Sequence, residues 1–160
     1  MDPHSPIGLA GSNWLRPKVW CWLSVDVAPV RFERSPQIAN EQLNQLFEDT
    51  WPNHQARDFQ AVLRRRLVYI DAYQGDRLVG FVNVIGDGDV HAFLLDISVA
   101  QPYQRRGIAT ELIAHAFRSA RDAGARWLHV DFEPHLEPLY RGTGFVHTAA
   151  GLLRLDNEPQ

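Results

Sequence analysis

The nine residues His91 to Val99 (HAFLLDISV) form an apolar run of strand length, and from Gly107 onward the apolar positions change period. Ile108, Leu112, Ala116 and Ala120 recur at helical spacing, with Ala109, Ile113 and Ala123 beside them. This switch predicts a strand, a turn, and a helix from Gly107 to Ala123 with one buried face. The turn reads Gln104-Arg105-Arg106-Gly107-Ile108-Ala109-Thr110. A helix's first turn leaves N–H groups unpaired and carries partial positive charge, and Gly107 and Ala109 keep the backbone accessible. The junction is therefore suited to an anion, and a phosphorylated cofactor is its natural ligand.

The same patterning divides the remaining chain. Val30 to Arg34 alternates as a short first strand, and Ile38, Leu43, Leu46 and Phe47 mark a helix from Ala39 to Asp49 that ends before Trp51-Pro52. A second helix is expected over Gln55 to Arg66, with Phe59, Val62 and Leu63 inward. Its terminal Arg64-Arg65-Arg66 is read first as a solvated helix end and only secondarily as a phosphate clamp. Leu67 to Tyr73, Leu78 to Ile85 and His91 to Val99 are joined by short glycine-containing turns, so they make an antiparallel meander. After the long helix, Gly124 is a stop and Trp127 to Phe132 a fifth strand, parallel to the fourth because the connection is a βαβ crossover. Pro134 to Arg141 reads as a short helix, Gly142-Thr143-Gly144 as a sharp turn, and Phe145 to Leu155 as one or two closing strands.

Residues 1–28 differ in character. Pro3, Pro6, Gly8, Gly11 and Pro17 argue against regular structure, and Trp14, Trp20 and Trp22 then cluster. The segment is either an irregular leader or a short strand, Val19 to Val25, that hides its aromatics against the domain or a second subunit. We therefore treat 1–28 as an extension and 29–160 as one domain, a size at which a single core is sufficient.

Composition narrows the function classes. A formal charge of −3 leaves no basic footprint for nucleic acid. The single cysteine, Cys21, excludes an intramolecular disulfide and any multi-cysteine zinc site, and with no apolar stretch of membrane-spanning length the expectation is a cytoplasmic, non-membrane protein. A signal peptide is rejected because the run after Lys18 is short and lacks a small-x-small site. His91, His129 and His135 show no i,i+4 pairing, so no metal is expected. P-loop and dinucleotide fingerprints are absent, since no Gly-x4-Gly-Lys segment occurs and Gly142-x-Gly144 precedes a strand pattern.

The order strand, Gln104-x-x-Gly107-x-Ala109, long helix, strand, then Leu139-Tyr140-Arg141-x-x-Gly144-Phe145 resembles the GNAT superfamily of acyl-CoA-dependent N-acyltransferases, over about Val30 to Leu155. The resemblance implies an α+β (mixed α/β) fold with a sheet of six to seven strands. Most strands are antiparallel, with a central parallel pair, and helices cover both faces. It implies that acetyl-CoA is the acyl donor, with its pyrophosphate on the backbone of Gln104, Arg105, Arg106, Gly107, Ile108, Ala109 and Thr110. The pantetheine arm would lie along Ile97, Ser98 and Val99. It also implies that Tyr140 gives a proton to the departing thiolate, a step open to a phenol that stays protonated at neutral pH.

The base is open between Asp96 and Glu133. By strand parity Asp96, Ser98 and Ala100 share one face, and Leu95, Ile97 and Val99 the other. An aspartate in so apolar a strand faces the acceptor pocket or meets a cation. The resemblance places Glu133 near a frequent family asparagine, in a segment shortened and stiffened by Pro134. His129 and His135 are alternates, direct attack with a water relay needs no base, and a covalent route through Cys21 is set aside. The resemblance makes Trp51, His54 and Phe59 candidates for the acceptor wall. Asp96, Glu133 and Glu137 would make the mouth acidic and favour a cationic amine, on a small molecule or a protein. The expected function is N-acetyl transfer to a primary amine by direct attack through a tetrahedral intermediate, with a homodimer allowed. The rival is a non-catalytic acyl-CoA-binding or regulatory module of the same fold.

Overall fold

The computed structural model describes residues 28–153 and 155; the aromatic cluster, the strand expected at Val19 to Val25 and Cys21 lie outside the described residues. In chain order the elements are β1 (Arg31–Arg34), α1 (Asn40–Thr50), α2 (Gln60–Leu63), β2 (Val68–Gln74), β3 (Arg77–Gly86), β4 (His91–Val99), α3 (Ile108–Asp122), β5 (Trp127–Val130) and α4 (Glu137–Gly142). Short 3-10 turns occupy Gln101–Tyr103 and Pro134–Leu136. The strands lie in the order β1-β2-β3-β4-β5, antiparallel except for the parallel pair β4 and β5. Among the described residues no helix is long and apolar enough to cross a membrane.

Each sheet face has its own core. Val68, Ile70, Val82, Val84, Ala92 and Leu94 meet Ile108, Leu112, Ile113 and Ala116 of α3 on one side. Tyr73, Leu78 and Phe81 meet Ile38, Leu43, Leu46, Phe47 and Phe59 on the other. Fully burying each large aliphatic contributes about 1.5–3 kcal/mol, so these clusters fix α3 and α1 on opposite faces. Gly80 sets the height of α3, since a Cβ there would stand 3.1 Å from Leu112 Cδ1 and 3.2 Å from Ile108 Cγ2.

Three expectations are corrected. The sheet has five strands among the described residues, where six to seven were expected, and the parallel pair lies at its edge, not at its centre. Residues 145–153 form neither helix nor strand, and Val146, Leu152 and Leu153 are exposed. The run Thr148-Ala149-Ala150-Gly151 has low strand propensity and little to bury. The second helix is four residues long, because Asn40 and Asn44 capture the backbone that would have formed its first half. Asn44 Oδ1 accepts from the Arg57 N–H, Asn44 Nδ2 donates to the Arg57 carbonyl, and Asn40 Oδ1 accepts from the Phe59 N–H, each at 2.9 Å. The third correction is a bulge. Phe81 pairs with Ser98 and Asn83 with Leu95, so two steps along β3 match three along β4. Leu95 therefore shares a face with Asn83, on the α1 side, instead of with Ile97 and Val99, which pack in the α3 cluster.

On that α1 side Asp71 is wholly buried in β2. The Tyr73 hydroxyl donates to its Oδ2 at 3.3 Å, and its Oδ1 has no partner. Burial pushes the carboxyl from 3.8 up to about 7, with Tyr73 opposing the rise and Glu33 adding to it. Between those values the folded chain holds a proton that the unfolded chain has released. This contribution to stability is therefore complete below pH 4 and is lost as pH rises through 7. Urea unfolding at a series of pH values tests this: relative to Asp71→Asn, the wild type is expected to lose on the order of a few kcal/mol from pH 4 to 7. Parallel curves for the two proteins would contradict the assignment.

Candidate functional site

The turn before α3 is built from left-handed residues. Arg105 has φ 59° and Gly107, the residue preceding the helix, has φ 82°. No side chain caps the helix start, so its first N–H groups are free for an external acceptor. Gln104, Arg105, Arg106, Gly107 and Thr110 are exposed and Ala109 is half-buried, whereas Ile108 is buried and anchors the turn to the α3 core. The Gln104 side chain reaches back, its Nε2 donating to the Val99 carbonyl at 3.0 Å. Arg106 lies over the Tyr103 ring at 5.3 Å, which leaves its charge beside the turn. What Gly107 supplies is conformation and not room, since nothing lies within 4 Å of the position its Cβ would take.

The end of β4 is open on one side. Its pairing with β5 runs from His91↔Trp127 to Leu94↔Val130, while its pairing with β3 continues to Gly80↔Val99. Beyond Leu94, the backbone of Ile97, Ser98 and Val99 thus has no strand neighbour on the β5 side among the described residues. Ser98 is buried, and its Oγ donates to the Asp96 carbonyl at 3.3 Å. Asp96 is the bulge residue, half-buried at φ 56°, a conformation that aspartate tolerates better than most residues. Its Oδ2 accepts a hydrogen bond from Asn83 Nδ2 at 2.6 Å.

Tyr140 is 2% exposed on α4, stacked on Phe132 at 4.6 Å and edge-on to Phe145 at 5.7 Å. Burial raises its pKa, so the phenol keeps its proton at neutral pH. It belongs to the same apolar cluster as Ile97 and Val99. Glu133 is exposed beyond the end of β5 and pairs with His135 Nδ1 at 3.2 Å. Glu137 pairs with Arg141 at 2.7 Å. His129 is the next-to-last residue of β5, with its Nε2 2.8 Å from His91 Nδ1 and its ring stacked on Phe93.

Trp51, His54 and Phe59 come together around Phe47. Trp51 stacks on it at 4.3 Å, His54 borders both Phe47 and Phe59, and Phe59 is buried. His54 Nε2 is 2.9 Å from Asn44 Oδ1, so the loop after α1 is held by one asparagine at both His54 and Arg57.

Asn83 and Asp71 were not among the sequence candidates. The signal was present, because each is a polar residue inside an apolar strand run (GFVNVIG and YIDAY), as Asp96 is in LLDIS. The cost of burying such a group unpaired applies equally to all three.

The family model described as "Acetyltransferase (GNAT) family" matches residues 37–145. An uncharacterized N-acetyltransferase, ycf52-like, of Prochlorococcus marinus is 27% identical over 110 residues, which take in 66% of this chain. The match spans 61% of that relative's length. A probable acetyltransferase of methicillin-resistant Staphylococcus aureus superposes with a TM-score of 0.68 at 20% identity, covering 81% of this chain and 100% of that one. An aminoglycoside N-acetyltransferase solved in complex with CoA superposes with a TM-score of 0.66 at 20% identity, covering 79% of this chain and 94% of the other. At these identities the structural likeness is one of fold.

The left-handed turn gives a direct test. Gly107→Ala is expected to lower stability by about 1 kcal/mol and the melting temperature by about 3–5 °C. Gly142→Ala, at a position of ordinary φ in α4, should be neutral or slightly stabilising by the same thermal scan. Equal effects at the two glycines would refute the conformational argument.

Proposed function

This chain belongs to the acetyltransferase (GNAT) family, and from that premise we propose that it transfers an acetyl group from acetyl-CoA to a primary amine by direct attack. The observation that carries the reading is the junction of an open strand end with an uncapped helix start: the unpaired side of Ile97 to Val99 runs toward the exposed backbone of Gln104 to Thr110. These features suit the two parts of a coenzyme A. A pantetheine arm has amides that can pair with a free strand edge, and a pyrophosphate needs clustered N–H donors with little side-chain cover. Arg105 and Arg106 add positive charge beside that position.

Acetyl-CoA supplies a thioester whose carbonyl carbon accepts the amine; a C–N bond forms, the C–S bond breaks and a thiolate leaves. The chain's own groups serve that exchange. Free backbone N–H groups at the β4 edge stabilise charge on the carbonyl oxygen as oxyanion-hole donors do. Tyr140, a phenol neutral at pH 7 whose pKa burial raises further, is assigned as the proton donor to the thiolate. Asp96 is preferred over Glu133 as the group that anchors or deprotonates the amine. Glu133 and Glu137 are matched by His135 and Arg141, whereas the hydrogen-bond partner of Asp96 is the neutral Asn83. A half-buried carboxylate without a cation partner among the described residues favours a cationic acceptor. Trp51, stacked on Phe47, and His54, stacked on Phe59, are assigned to the acceptor wall.

Release of free thiol on mixing acetyl-CoA with a panel of diamines, aminoglycosides, amino acids and lysine peptides measures the activity. Turnover with at least one amine is expected. Binding of acetyl-CoA without thiol release from any of them would return the chain to a non-catalytic acyl-CoA-binding role. Tyr140→Phe is expected to lower kcat by about 100-fold or more with coenzyme A affinity preserved, and unchanged turnover would remove Tyr140 from the mechanism.

A further inference from the structure

We infer that Asn83 is a positioning residue for Asp96, retained at a cost to stability. The inference rests on the acetyl-transfer reading above and assigns a role to a residue outside it. Asn83 lies in the middle of β3, 2% exposed, between Val82 and Val84, which pack against α3. Its strand partners are Tyr69 on β2 and Leu95 on β4. Packing alone calls for an apolar side chain here, and leucine has the same branched heavy-atom skeleton as asparagine.

The amide is only half satisfied. Nδ2 donates to Asp96 Oδ2 at 2.6 Å, while Oδ1 is buried with no partner. Rotating the amide would not relieve this, because it would press Oδ1 against the carboxylate oxygen. The orientation is therefore set by Asp96, and the orphaned oxygen is the cost of keeping a donor at that point. A carboxylate on a bulge has no regular ladder to hold it, and this charge-assisted bond fixes its rotamer. With Oδ2 engaged, Oδ1 of Asp96 is the oxygen left to face an ammonium group or take its proton. The neutral donor also avoids a cation that would compete with the substrate for the carboxylate.

A stabilising role and a positioning role predict opposite behaviour. For Asn83→Leu the melting temperature is expected to stay level or rise, because the orphaned oxygen is removed. The kcat for the amine is expected to fall about tenfold or more, with the KM for acetyl-CoA within about twofold of the wild type. In an Asp96→Ala background, adding Asn83→Leu should cause no further loss of kcat, since the group it positions is gone. A lower melting temperature with unchanged kcat overturns the inference, as does a loss of kcat that multiplies with that of Asp96→Ala. If Asn83→Leu does not fold, Asn83→Val replaces it, smaller and without a polar atom, with the same outcomes expected. Absence of thiol release by the wild type with every amine overturns the acetyl-transfer reading and this inference together. A transferring wild type with an unaffected Asn83→Leu overturns the inference alone.

Discussion

One extra residue in β4 governs where the groups of the site stand. Opposite Val82, the strand spends three residues where β3 spends two, and Asp96 absorbs the difference at φ 56°. Without it, Ser98 and Ala100 could not stay on the α1 face while Ala92 and Leu94 pack on the α3 face. A bulge also bends its strand and strengthens the local twist. Here it falls just where pairing with β5 stops at Leu94, while pairing with β3 carries on to Val99. The free edge of β4 and the carboxylate of Asp96 thus share a single cause.

The second constraint is the height of α3. Its N-terminus faces the end of β4 because Ile108 and Leu112 sink against Gly80, where no side chain holds them off. Gly107 then makes the left-handed step that lets the chain leave the 3-10 turn and enter the helix with its first N–H groups exposed. Burial thus orients the backbone proposed to hold the cofactor's pyrophosphate, although that backbone itself remains in solvent. Tyr140 depends on the same core, where Phe132 and Phe145 hold its ring and burial raises its pKa.

Much of this was legible in the sequence. The fourth strand was read with its observed ends, and the long helix to within a residue at each end, because the hydrophobic period changes sharply across Gly107. The family followed from the glycine turn and the Tyr140 segment taken together. The failures have identifiable causes. Helical spacing over Gln55 to Arg66 could not reveal that Asn40 and Asn44 would bind the loop backbone at Arg57 and Phe59 and keep the segment before Gln60 out of the helix. Strict alternation placed Leu95 with Ile97 and Val99, since a bulge leaves no period of its own. Asn83 was passed over because a lone polar residue in a strand reveals its partner only when the neighbouring strand's register is known. The closing strands are expected over Phe145 to Leu155, and the exposure of Val146, Leu152, Leu153 and Leu155 shows that apolar character without a partner face is insufficient.

The central claim is that the open edge of β4 and the left-handed turn before α3 act as one cofactor site. Hydrogen exchange measured residue by residue with and without coenzyme A tests it most directly. Slowed exchange is expected at the amides of Ile97 to Val99 and of Gly107 to Thr110 together, with little change along β1 and β2. Binding that leaves either segment unprotected, or that protects the chain elsewhere, would contradict it.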